Sequence, residues 1–172
     1  MYLEKKVETI EINIDQEIFE GELLDIGFDN NGILYNGYKH FNEEVDVEYI
    51  NGKEEKDLIE NNFYDNCTLM FVLSNINFKK AKEKLFEEVK KYIKKDGYIY
   101  IWDIDKGFKE WFNNKIIVKL PNNVQRDFRV RNFNILNDNS QESTVKALEK
   151  YYEILDIKNE FGIYFIKARN SK

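Results

Sequence analysis

Residues 7–14 alternate, with Ile10, Ile12 and Ile14 set against Glu11 and Asn13, and this period of two predicts an amino-terminal strand with one wet face at a sheet edge. The run Leu23-Leu24-Asp25-Ile26 reads as a short buried strand closed by Gly27. Ile33, Leu34, Tyr38 and Phe41 then share one helical face, and residues 45–50 return to strand. A polar connection, predicted helical, leads to Asn62. Residues 67–73 are apolar almost without break, the signature of a strand covered on both faces at the centre of a sheet.

The next segment puts Ala81, Leu85, Val89, Tyr92 and Ile93 on one face of a long helix, and Lys94-Lys95-Asp96-Gly97 supplies cations and a glycine as helix-stop chemistry. Residues 98–104 form the following strand. A strand-helix-strand unit of this kind has parallel strands and a right-handed crossover. Phe108, Trp111 and Phe112 are helically spaced and predict core or lid packing. Residues 116–120 and 124–135 flank Pro121, the only proline, and predict a hairpin. Ser140 opens a last helix with Val145, Leu148, Tyr152 and Leu155 on one side. Two strands, residues 154–158 and 163–168, joined around Gly162, close the chain.

Composition narrows the class. A chain of 172 residues, 42% hydrophobic and 15% aromatic, buries one core, so residues 1–172 are expected to form a single domain, with 1–20 as an N-terminal strand extension and 113–137 as a hairpin-like insertion. The net charge of -6 argues against general affinity for nucleic acid or an anionic membrane. No apolar segment long enough for a signal peptide or a membrane span is present, which predicts a soluble protein. Cys67 and His40 are each alone, which leaves no intrachain disulfide, no Cys- or His-rich metal cluster and no ready Ser-His-Asp triad. Cys67, inside an apolar run, reads as a small buried hydrophobe, and the expected compartment is a reducing cytoplasm. The abundance of Asn, Lys, Ile and Tyr points to an AT-rich bacterial genome.

The chemistry concentrates at Glu22 to Gly32, where Asp25 precedes Gly27, with Glu48 placed 23 positions after Asp25. An acid, a glycine-bearing turn and a second acid at this separation suggest a nucleotide-type ligand across two neighbouring strand ends. Together with the element order, these residues resemble a class I S-adenosylmethionine-dependent methyltransferase over roughly residues 20–168. Leu23-Leu24-Asp25-Ile26-Gly27 is similar to that family's first motif, residues 63–73 to its fourth strand, and residues 94–101 to the turn and fifth strand. Residues 151–168 resemble its closing antiparallel pair, which sets it apart from dehydrogenases.

The resemblance implies an α/β fold: a Rossmann-like three-layer architecture with a mostly parallel sheet ending in a C-terminal antiparallel hairpin. It also implies S-adenosylmethionine as cofactor, with Asp25 and Gly27 at its methionine part and Glu48, at a strand end, accepting both ribose hydroxyls. Two departures bear on this. Asp29 and Asn31 replace glycines that let the backbone approach the ligand, which weakens cofactor affinity. Only about 18 residues separate Glu48 from the strand at Cys67, too few for the usual helix, third strand and helix, so the third strand is expected to be missing.

On the acceptor side, Ser74-Asn75-Ile76-Asn77 follows the central strand, where the family places substrate or catalytic groups, but without the Asn-Pro-Pro-aromatic pattern of enzymes that methylate base amino groups. Asn75 or Asn77 is expected to cap the helix near Phe78. Trp102-Asp103-Ile104-Asp105 sets two carboxylates at i and i+2 with no third ligand, so no metal site is expected and a strand end is the favoured reading. Asn75 and Asp103 remain candidates through their places at strand ends. Arg126, Arg129 and Arg131 are three of only four arginines, and Arg129 and Arg131 would share one strand face suited to phosphate or carboxylate. Two functions follow: a methyltransferase of unknown small-molecule or protein acceptor, with weakened or lost cofactor binding, or a noncatalytic module that holds an acidic partner.

Overall fold

The computed structural model describes residues 7–17, 19–27, 33–38, 47–51 and 59–171, with backbone alone for 36–38 and 47–51. Phe28, Asp29, Asn31, Gly32, His40 and Phe41, along with the connection after Gly52, lie outside the described residues. The chain runs β1 (Thr9–Asn13), β2 (Leu23–Gly27), α1 (Ile33–Tyr38), β3 (Val47–Asn51), β4 (Tyr64–Met70), α2 (Lys79–Tyr92) and β5 (Ile93–Ile104). It continues with β6 (Phe112–Lys119), β7 (Gln125–Asn132), α3 (Gln141–Leu148), β8 (Glu153–Glu160) and β9 (Ile163–Arg169). No helix among the described residues is long and apolar enough to cross a membrane.

The main sheet has the order β3-β2-β4-β5-β9-β8. Its pairings are parallel from β3 to β5 and antiparallel from β5 through β9 to β8, so it is mixed. Among the described residues β3 is an edge strand. The chain passes from β2 outward to β3 and returns on the other side of β2 as β4, which puts a topological switch point between the carboxyl ends of β2 and β4.

The amino-terminal strand belongs to a separate sheet. β1 pairs in parallel with β6, and β6 pairs antiparallel with β7, so β1 is an edge strand as expected, but of a second, three-stranded mixed sheet. The small sheet covers one face of the main sheet together with α1. Ile10, Ile116 and Val118 pack there with Leu23, Met70, Tyr100 and Trp102. On the other face α2 and α3 bury Phe86, Val89 and Leu148 against Leu24, Leu69, Ile101 and Ile166. The layers are therefore the small sheet with α1, the main sheet, and α2 with α3. Cys67 lies in this second core with no exposure, and burial pushes its thiol well above the usual range, as suits an inert hydrophobe.

Four local expectations also change. α2 buries Lys82, Phe86 and Val89, a face turned by about one position from the apolar stripe, because Lys82 is drawn inward by oxygen partners. It ends at Tyr92, and the left-handed residue after it is Asp96 (φ 65°), not Gly97. Gly97 serves close approach: a Cβ there would lie 2.6 Å from Ile93 Cγ2 and 2.8 Å from the Asp65 carbonyl oxygen. Phe108 lies in a turn, Trp111 follows it in irregular chain and Phe112 begins β6, so no helix forms there. The N-cap of α2 is Phe78, without a side-chain cap; Asn75 and Asn77 bond elsewhere. Ser140 does cap α3, accepting from the Ser143 amide.

Candidate functional site

At the switch point, the alternation of β2 turns Asp25 to the same face as Leu23, onto a floor formed by the neighbouring strand β4. Asp25 is fully buried. Its Oδ1 accepts from the Thr68 hydroxyl at 2.8 Å and its Oδ2 from the Tyr35 amide of α1 at 3.0 Å. Burial pushes its carboxyl up to about 6, while the two donors pull the other way. Asp25 thus ties α1 to the centre of the sheet. Gly27 closes β2 and is level with Asn51, the last residue of β3.

Glu48 does not stand at a strand end. The register sets it level with Leu24, three residues before Asn51, which is about 10 Å back along the strand at a rise near 3.3 Å per residue. The apolar run through residues 45–50 suggested a strand ending near Glu48, whereas pairing with β2 carries β3 on to Asn51.

Across the switch point, β4 ends in a left-handed Phe71 (φ 55°), a conformation that costs an aromatic residue roughly 1–3 kcal/mol. The surroundings hold it there. Its amide donates to the Trp102 carbonyl at 2.8 Å, and its ring meets Phe128 of the small sheet edge to face at 5.3 Å. The chain then makes a 3₁₀ turn, Leu73–Asn75, gripped from below by Asp103. Asp103 is fully buried at the end of β5 and accepts from the Leu73 and Ser74 amides at 2.8 and 3.2 Å and from Asn139 Nδ2 at 3.0 Å. Burial raises its carboxyl above the usual range against these donors. It is a positioning group. Asp105 leaves the strand and accepts from the Gln141 amide and from Asn159, so the two carboxylates do not converge. Among the described residues no three His, Cys, Asp or Glu side chains gather as a metal set.

The Ser74 carbonyl accepts from Asn132 at 2.8 Å and from Asn137 at 3.1 Å. Buried Lys82 donates to the Asp138 carbonyl and Asn139 Oδ1, and burial lowers its ammonium to about 8. Lys106, also buried, donates to the carbonyls of Asn134 and Asn137. The asparagine-rich segment 132–139 is therefore a clamp on the turn after β4. Sequence reasoning extended the hairpin to Ile135 and so missed it; the spacing of Asn132, Asn134, Asn137 and Asn139 was the available signal.

Between this turn and β7 lies a cavity of about 380 Å³ lined by Phe71, Ser74, Asn75, Phe128, Arg129, Val130 and Arg131. It brings Asn75 together with Arg129 and Arg131. Asp103 lies beneath it, and Arg126 stands in the opposite register of β7, its guanidinium bonded to the Gln125 carbonyl. Larger cavities of about 510 and 520 Å³ open elsewhere, one beside Trp111 and Phe161 and one beside Lys94 and Lys167. The smaller one adjoins the switch point, where ligands of open α/β sheets bind.

No protein-family model matches this sequence, and no curated protein matches it. Among solved structures, an S-adenosylmethionine-dependent methyltransferase from Aquifex aeolicus superposes with a TM-score of 0.57 at 17% identity, over 87% of this chain and 81% of that one. One from Clostridium acetobutylicum gives 0.54 at 12% identity, over 88% and 85%. The 1,6-didemethyltoxoflavin-N1-methyltransferase of Burkholderia thailandensis, solved with bound 1,6-didemethyltoxoflavin and S-adenosylhomocysteine, gives 0.58 at 13% identity, over 88% and 71%. The strand order, the switch point and these superpositions agree that the chain has the α/β fold of S-adenosylmethionine-dependent methyltransferases.

Proposed function

We propose that the chain is an S-adenosylmethionine-dependent methyltransferase, with the cofactor at the carboxyl ends of β2 and β3 and the acceptor in the cavity beyond β4. The observation that carries this reading is the cavity's place beside the switch point between β2 and β4. Gly27 lets the backbone at the end of β2 approach a ligand, and Asp25 holds α1 to the centre of the sheet. Bound S-adenosylmethionine supplies an electrophilic methyl group on a sulfonium. The described residues lining the cavity carry phenyl, hydroxyl, amide and guanidinium groups. They suit alignment of an acceptor that is itself nucleophilic, and alignment is the main requirement of methyl transfer.

The test is an equilibrium titration of the full chain with S-adenosylmethionine. Saturable one-site binding, lost in Gly27→Val with the circular dichroism spectrum unchanged, is the expected result. No binding at millimolar cofactor contradicts the reading.

A further inference from the structure

The small sheet presents its charges unequally. On the face it turns outward, Lys115 pairs with Asp127 at 2.9 Å and Lys119 with Glu11 at 2.6 Å, so both lysines are neutralised locally. Arg129 and Arg131 share that face by register, opposite Lys115 and Asn113, and neither takes part in an ion pair among the described residues. Arg129 is oriented instead by a neutral group: its Nε donates to Asn113 Oδ1 at 2.8 Å, which leaves the terminal NH₂ groups as donors. Because β7 is the edge strand of the small sheet, the cavity at its edge takes in both faces, Phe128 from the inner and Arg129 and Arg131 from the outer; Phe71 is a further wall, and the far side offers Ser74 and Asn75.

We propose that this cavity selects an acceptor with a flat apolar body and an oxyanion at one end, a carboxylate or a phosphate. The body lies against Phe71 and Phe128, and Arg129 and Arg131 take the oxyanion. Its volume falls in the range of small-ligand pockets. A guanidinium fork matches the geometry of either oxyanion, and a charge-assisted pair outweighs a neutral hydrogen bond. The acceptor role rests on the methyl-transfer reading, whereas the preference for an oxyanion rests on the cavity alone.

The experiment uses the full chain, with and without S-adenosylhomocysteine, titrated with 4-hydroxybenzoate, phenyl phosphate and the neutral 4-hydroxybenzamide and followed by amide chemical shifts. The expected result is at least about tenfold tighter binding of one anionic probe than of the amide, with shifts at Phe71, Asn75 and β7. Arg129→Gln with Arg131→Gln should reduce that preference to within about twofold while leaving S-adenosylhomocysteine binding unchanged. Arg129→Lys with Arg131→Lys, which keeps the charge but not the fork, should fall between. Whether the carboxylate or the phosphate binds tighter identifies the oxyanion. Equal affinity for acid and amide, persistence of the preference in the double Gln variant, or no binding of any anionic probe at millimolar concentration overturns the proposal. An Arg-dependent anion preference without S-adenosylhomocysteine binding supports the oxyanion site and counts against the methyl-transfer reading; the reverse pattern does the opposite.

Discussion

Asp25 is a carboxylate with no solvent, held by one hydroxyl and one amide, and its titration is the clearest residue-level consequence of the fold. Its carboxyl is raised from the ordinary 3.8 to about 6, so the folded protein binds the proton more tightly than the unfolded chain does. The contribution to stability is full below about pH 4 and is lost as pH rises through about 6, a change on the order of 3 kcal/mol. Urea unfolding of the protein and of Asp25→Asn between pH 4 and 7 checks this. The wild type should lose stability relative to the variant as pH rises over that range; parallel profiles would contradict the assignment. Glu48 gives a second residue-scale test. Because the register places it three residues back from Asn51, Glu48→Ala should change S-adenosylhomocysteine affinity by less than about threefold, and abolition of binding would restore it to the ribose site. Sequence spacing could not fix where β3 ends relative to Glu48, since a strand's end depends on its partner's length.

At the scale of elements, residues 94–97 form a bulge between α2 and the body of β5, where pairing slips from Tyr64 with Ile93 to Asn66 with Tyr98. The glycine in this bulge has no room for a side chain. Gly97→Ala should destabilise the protein by roughly 2–4 kcal/mol in urea unfolding, because the contact with the Asp65 carbonyl is with backbone and cannot swing aside. A loss below about 0.5 kcal/mol would show that the bulge relaxes. The helix before it illustrates what hydropathy can and cannot tell. The period of α2 was plain from Leu85, Val89 and Tyr92, but the buried face centres on Lys82, Phe86 and Val89. No hydrophobicity pattern calls a lysine inward; the carbonyl of Asp138 and the amide oxygen of Asn139 do, and they lie more than fifty residues away. The continuous apolar runs of β4 and β5, by contrast, identified the central strands because burial on both faces leaves little choice of residue.

At the scale of the whole molecule, two mixed sheets share one core with α1, and α2 and α3 cover the far face of the larger sheet. The alternation in β1 and the hairpin of β6 and β7 were each legible in the sequence. Their parallel union across about 100 residues was not, because strand pairing at that distance leaves no local trace. That union places β7 beside the turn after β4 and so builds the candidate acceptor cavity from both sheets: Phe71, Ser74 and Asn75 from one, and Phe128, Arg129, Val130 and Arg131 from the other. The carboxyl ends of β2 and β3, where the cofactor is proposed to bind, belong to the larger sheet alone. Calorimetric titration of the full chain with S-adenosylhomocysteine tests the central claim most directly: the account predicts a saturable one-site heat, and the absence of heat at millimolar ligand would contradict it.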